Sequence, residues 1–115
     1  MSKEILLKNI FKECDNFFKI NHYSEALKLL SKYTTQEPNL IENPLFLNLV
    51  GFTYLNLKDW NTAIINFKKV IEINKNYLPA YFNLAIALYD QGDLENSFKN
   101  LNKILKIDPG NKRAE

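Results

Sequence analysis

Cysteine, histidine and arginine each occur once in this 115-residue chain, as Cys14, His22 and Arg113. One cysteine cannot close an intrachain disulfide, and with one histidine it cannot build a Cys/His metal site. A single arginine nearly removes the bidentate reader of phosphate and guanine. Turn-formers are scarce too: 3 glycines and 4 prolines are too few for a barrel or sandwich of many short strands. Long apolar runs are missing. The first residues mix Lys, Glu and Asn among the apolar ones, so neither a signal peptide nor a membrane span is expected. Charge of one sign is also lacking, because 15 basic and 13 acidic side chains leave a net charge of +2. Nucleic acid would require a clustered basic face, so it is not an expected partner, and no membrane insertion is expected. The lone thiol points to a reducing, cytoplasmic setting.

What the chain does contain is ordinary globular chemistry, 46% hydrophobic and 24% charged, which is enough to fold. It also repeats itself. Tyr23-Ser24-Glu25-Ala26, Trp60-Asn61-Thr62-Ala63 and Leu94-Glu95-Asn96-Ser97 each place a large apolar residue three positions before a small one. The step from Ala63 to Ser97 is 34 residues, and that from Ala26 to Ala63 is 37, a three-residue insertion on the same period. Other columns keep the register: small residues at Cys14, Gly51 and Ala85, and large ones at Phe17, Tyr54 and Leu88. A third column holds Leu30, Phe67 and Leu101. Small residues at paired columns let two helices approach closely, while the large ones fill the grooves around them. Asn43-Pro44 reads as an N-cap followed by Pro at the first helical position. Asp59 and Asp93 read as caps of later helices. Helices are expected at about 3–20, 23–35, 44–57, 60–73, 78–90 and 94–107.

This pattern resembles the tetratricopeptide repeat, a 34-residue helix–turn–helix unit. The resemblance covers units 7–40, 44–77 and 78–111, with 41–43 inserted. It implies an all-α fold, a right-handed superhelix of six antiparallel helices. The second unit matches best, through Gly51, Tyr54, Trp60, Ala63 and Phe67. In the third, Ser97 replaces the usual Ala; in the first, Glu13 and Cys14 stand where the family favours Leu and Gly or Ala.

The resemblance further implies that the first helix of each unit lines a concave surface that receives a peptide or partner helix. The family register assigns to it Phe11 and Phe18 in the first unit. The second supplies Asn48, Leu49, Phe52 and Leu55, and the third Phe82, Asn83, Ile86 and Tyr89. Their apolar members form an expected stripe with aromatic anchors, the side chains that carry binding energy at interfaces. Asn48 and Asn83 are expected to orient a bound backbone. The family's clamp for the C-terminal carboxylate of chaperones uses Lys, Asn, Asn, Lys and Arg. Here those positions hold Phe11, Asp15, Leu49, Pro79 and Asn83, so a chaperone carboxylate is not expected as partner.

No catalytic set is expected around His22, which falls in a turn, and Cys14 occupies a packing column. Gly51, Gly92 and Gly110 stand alone, so no phosphate-cradling loop and no cofactor are expected. Lys32, Lys69 and Lys103 recur on the second helices as a solvated face. The last helix leaves an apolar face with little chain to cap it, and a second copy of the chain is one way to cover it. The reading is therefore a non-catalytic protein–protein interaction module with an apolar concave groove. The alternatives are a helper domain of a larger, even enzymatic, protein, or a small chaperone or self-assembly unit.

Overall fold

In a computed structural model that describes residues 2–114, six helices form where the sequence starts and stops them. They are α1 (Lys3–Lys19), α2 (Tyr23–Gln36), α3 (Pro44–Asn56), α4 (Trp60–Ile73), α5 (Leu78–Gln91) and α6 (Leu94–Ile107). A short 3₁₀ helix, Pro38–Glu42, joins α2 to α3. Each α-helix packs on the next, and α3 also touches α5, so the pairs stack into an all-α superhelical array about 38 Å long.

The turns inside the three pairs share one construction. Asn21, Lys58 and Gly92 take left-handed backbone, with φ of 58°, 67° and 97°. The next residue in each, His22, Asp59 or Asp93, donates its N–H to Phe17, Tyr54 or Leu88 at 2.9, 3.0 and 2.8 Å. That closes the first helix by the left-handed cap motif. The same residue then opens the second helix. Asp59 accepts from Thr62 N–H and Asp93 from Asn96 N–H, both at 3.2 Å. Hydrogen bonds from the Asn96 side chain and backbone hold the Asp93 carboxyl below its usual range. His22 makes no such side-chain bond.

Nothing lies within 4 Å of a side chain added at Gly92, so backbone alone decides what that position accepts. Gly92→Ala is expected to lower stability by about 1–2 kcal/mol. Lys58→Gly is expected to move the other way, by up to about 1 kcal/mol, since strain is relieved but the unfolded chain gains freedom. Urea unfolding of the two variants checks the opposite signs.

The small columns do close the pairs. Cys14, Ala26 and Ala63 are fully buried. Ser97, also buried, satisfies its hydroxyl by donating to the Ala85 carbonyl at 2.8 Å, which is why a polar residue is tolerated among the small ones. Burial, with the Glu13 charge beside it, pushes the Cys14 thiol up to about 11, so it stays protonated at neutral pH. Between the first two units the core is completed by Leu40 of the 3₁₀ helix, 2% exposed, packed with Leu7, Ile10, Leu30 and Phe46.

Candidate functional site

The first helices of the three pairs, α1, α3 and α5, carry the ten residues assigned to the concave face, and the structure divides them. Phe18, near the end of α1, meets Phe52 of α3 edge-on at 5.2 Å between ring centroids. It also stacks on Tyr23 at 5.5 Å. Phe11, Phe18 and Phe52 are each half-buried, so part of this aromatic cluster faces solvent. Lys8, Lys12, Asp15 and Lys19 follow along α1 at helical spacing, all exposed. Asn48 and Asn83 lie opposite each other on α3 and α5, where Asn83 Nδ2 donates to Asn48 Oδ1 at 3.2 Å. That bond leaves the amide of Asn48 and the carbonyl oxygen of Asn83 with capacity to spare.

Three of the ten are core side chains. Leu49 is 7% exposed and packs with Phe46 and Leu30; Leu55 is 8% exposed and packs with Ala63, Ile64 and Leu88. Phe82, also buried, packs with Ile104 and Ala114, and the Arg113 guanidinium lies 4.1 Å above its ring. The physical reason is shared. The register tells which helix face a residue occupies but not which neighbouring side chains close over it.

Ile86 and Tyr89 remain exposed. With Phe82 they line a cavity of about 400 Å³ at the C-terminal end, shared with Phe98 and Leu101 of α6. The last helix is less bare than its sequence implies. Ala114 is buried against Tyr81, Phe82 and Ile104, and Leu101 and Leu105 are half-buried.

Two tetratricopeptide repeat family models match this chain, one over residues 46–77 and the other over 79–111, together more than half of it. The chain belongs to the tetratricopeptide repeat family. It is 31% identical over 109 residues to an Hsp70-Hsp90 organising protein of Plasmodium falciparum, a match spanning 95% of this chain and 41% of that relative. The chain therefore covers less than half the length of that protein. Among solved structures, the first TPR domain of the human RPAP3 protein superposes with a TM-score of 0.80 at 23% identity, covering 94% of this chain and 83% of that one. The first TPR of Spaghetti (RPAP3), bound to the HSP90 peptide SRMEEVD, has a TM-score of 0.78 at 23% identity, covering 94% and 85%. These structures share the repeat fold, and the array is a protein-interaction module.

The exclusion of a chaperone C-terminal carboxylate is corrected by these relatives, one an Hsp70-Hsp90 organising protein and another a TPR holding an HSP90 peptide. The exclusion rested on the five clamp positions, which hold no basic residue and one carboxylate, that of Asp15. Asp15 instead pairs with Lys19 at 3.1 Å, with both side chains well exposed to water. Lys8 and Lys12 stand on the same side of α1. In so wet a setting one carboxylate repels another by about 1 kcal/mol or less.

Among the described residues no helix is long and apolar enough to cross a membrane. His22 lies in the α1–α2 turn and is exposed. Lys32, Lys69 and Lys103 are exposed on the second helices, as a solvated face requires.

Proposed function

We propose that this TPR module docks the acidic C-terminal peptide of a chaperone along its concave face. The observation that carries the reading is the half-open Phe18–Phe52 cluster bridging α1 and α3, with Lys8 and Lys12 exposed further towards the start of α1. Apolar peptide side chains rest on the two rings, where desolvated aromatic anchors contribute most. The lysines attract the acidic residues from a distance and raise the rate of encounter. Asn48 and Asn83 present a free donor and a free acceptor to a bound backbone. Phe11 extends the apolar floor towards the start of α1.

Catalysis is not part of the proposal. The only thiol is held protonated, and the only histidine sits in an exposed turn. A single unpaired cysteine supports a cytoplasmic location.

Titration with the peptide SRMEEVD by calorimetry tests the reading. Saturable binding is expected, weakened at least about tenfold by Phe52→Glu, which puts a carboxylate where the rings meet the peptide. The affinity should fall as salt is raised, because the lysine contribution is screened within about 10 Å at 0.1 M. No saturation, or equal affinity for the Phe52→Glu variant, would remove the chaperone peptide from this face.

A further inference from the structure

We infer that Asp15 is a specificity-determining residue of the concave face: it receives a basic side chain placed ahead of the acidic end of the bound peptide, as the arginine of SRMEEVD is. The inference rests on the chaperone-peptide reading above and narrows which peptides the face accepts. Asp15 is the one carboxylate among the clamp positions, and a carboxylate there cannot grip another. Asp15 and Phe52 hold the same position of consecutive repeats, 37 residues apart. Asp15 also stands one turn before Phe18 on α1. The Phe18 and Phe52 rings meet at 5.2 Å, so the carboxylate lies one helical turn from the half-open aromatic pair.

The charges around it are simple. Glu13, the nearest other carboxylate of α1, accepts a hydrogen bond from the Tyr33 hydroxyl of α2 at 2.7 Å. Asp15 is paired with Lys19 at 3.1 Å, and their side chains are 59% and 70% exposed. So wet a pair is worth little and exchanges readily for another cation. α3 carries no charged side chain and α5 only Asp90, so α1 sets the charge pattern on its side of the groove. Counted back from Asp15, that pattern is negative, then positive at Lys12 and positive again at Lys8, all three exposed.

The peptide SRMEEVD offers the complement in the same order, an arginine and then two glutamates. Lys12 and Lys8 lie about 4.5 and 10 Å from Asp15 along the helix axis. In an extended peptide the two glutamates lie about 7 and 10 Å from the arginine, and a flexible lysine stem takes up the difference. Successive side chains of an extended chain point to opposite sides. The arginine and the first glutamate therefore turn to α1, and the methionine between them turns to α3, onto Phe52. The arginine's own stem lies against Phe18, whose ring face attracts a cation.

Calorimetry with two peptides and two chains tests the assignment: SRMEEVD and SAMEEVD, each against the native chain and Asp15→Asn. Replacing the peptide arginine by alanine is expected to weaken binding to the native chain about fivefold. Asp15→Asn is expected to weaken SRMEEVD by a similar factor, while SAMEEVD binds as well as before or better. The sign is diagnostic, because removing a negative charge from the face otherwise strengthens its hold on any acidic peptide. The substituted position is exposed, and circular dichroism checks that helicity is kept. The inference is overturned if the native chain binds the two peptides equally. It is also overturned if Asp15→Asn leaves SRMEEVD as tight as before, or weakens both peptides alike. Those results leave the chaperone-peptide reading standing, whereas failure of both peptides to saturate the native chain removes that reading and this inference together.

Discussion

Phe67→Ala is expected to remove about 3–5 kcal/mol of stability, a large share of what a domain of this size possesses. The ring is fully buried at the centre of a cluster formed by Leu55, Ala63, Ile64, Leu84, Ala87 and Leu88. It joins α3, α4 and α5 at once, so neighbouring helices cannot collapse into the hole without losing contact elsewhere. The ring also explains Gly51. A Cβ at that position would stand 2.5 Å from Phe67 Cε1 and 2.9 Å from Cδ1 and Cζ. Gly51→Ala must displace the ring, at an expected cost of about 1–3 kcal/mol. The two sites should be coupled. Against Phe67→Leu, which lacks the clashing outer ring atoms, Gly51→Ala should cost less by about 0.5 kcal/mol or more. Urea unfolding of the four chains gives the cycle, and strictly additive costs would show that the ring does not press on Gly51.

Phe46→Ala should cost a similar amount, about 3–5 kcal/mol, but at a different place. Phe46 is 1% exposed and packs with Leu7, Ile10 and Cys14 of α1, Leu30 of α2 and Leu40 of the 3₁₀ helix. It is the bolt between the first unit and the second. In a stack whose stability is carried by neighbour-to-neighbour interfaces, its loss frees one end. Amide exchange in α1 and α2 should accelerate most, while α5 and α6 keep more of their protection. Phe67→Ala should show the reverse emphasis, with α3 to α5 most affected. Identical exchange patterns in the two variants would mean that the array opens as one cooperative body.

The helices were legible from column periodicity, reinforced at α3, α4 and α6 by a readable cap. Asn43, Asp59 and Asp93 were each readable as caps and each accepts the expected backbone N–H. The α1–α2 pair was harder, since His22 supplies no side-chain cap there. The 3₁₀ helix was not foreseen. Its signal was only an insertion, and nothing local marks Leu40 as a core residue. Left-handed backbone at Gly92 follows from residue type, but at Lys58 it does not, because lysine has no preference for positive φ. There the repeat's geometry overrides the residue.

The candidate site was legible as a face and illegible as a surface. Phe11, Phe18 and Phe52, which the register assigns to the concave side, remain half-buried. Leu49, Leu55 and Phe82 share the same register and are buried. Asn48 and Asn83 were expected to serve a ligand, and their bond to each other was invisible across 35 positions of sequence.

The sequence by itself determined the repeat, the number and order of helices and the faces they turn to one another, because those depend on spacing and on residue size along one chain. Only the tertiary structure decided which of those faces stay open. Burial is a property of two surfaces, and the second is supplied by whatever helix comes next. The same column that vanishes beneath α5 at Leu55 and Ile64 stands open at Tyr89 and Phe98. No local feature of those four residues announces the difference; the presence or absence of a covering helix does.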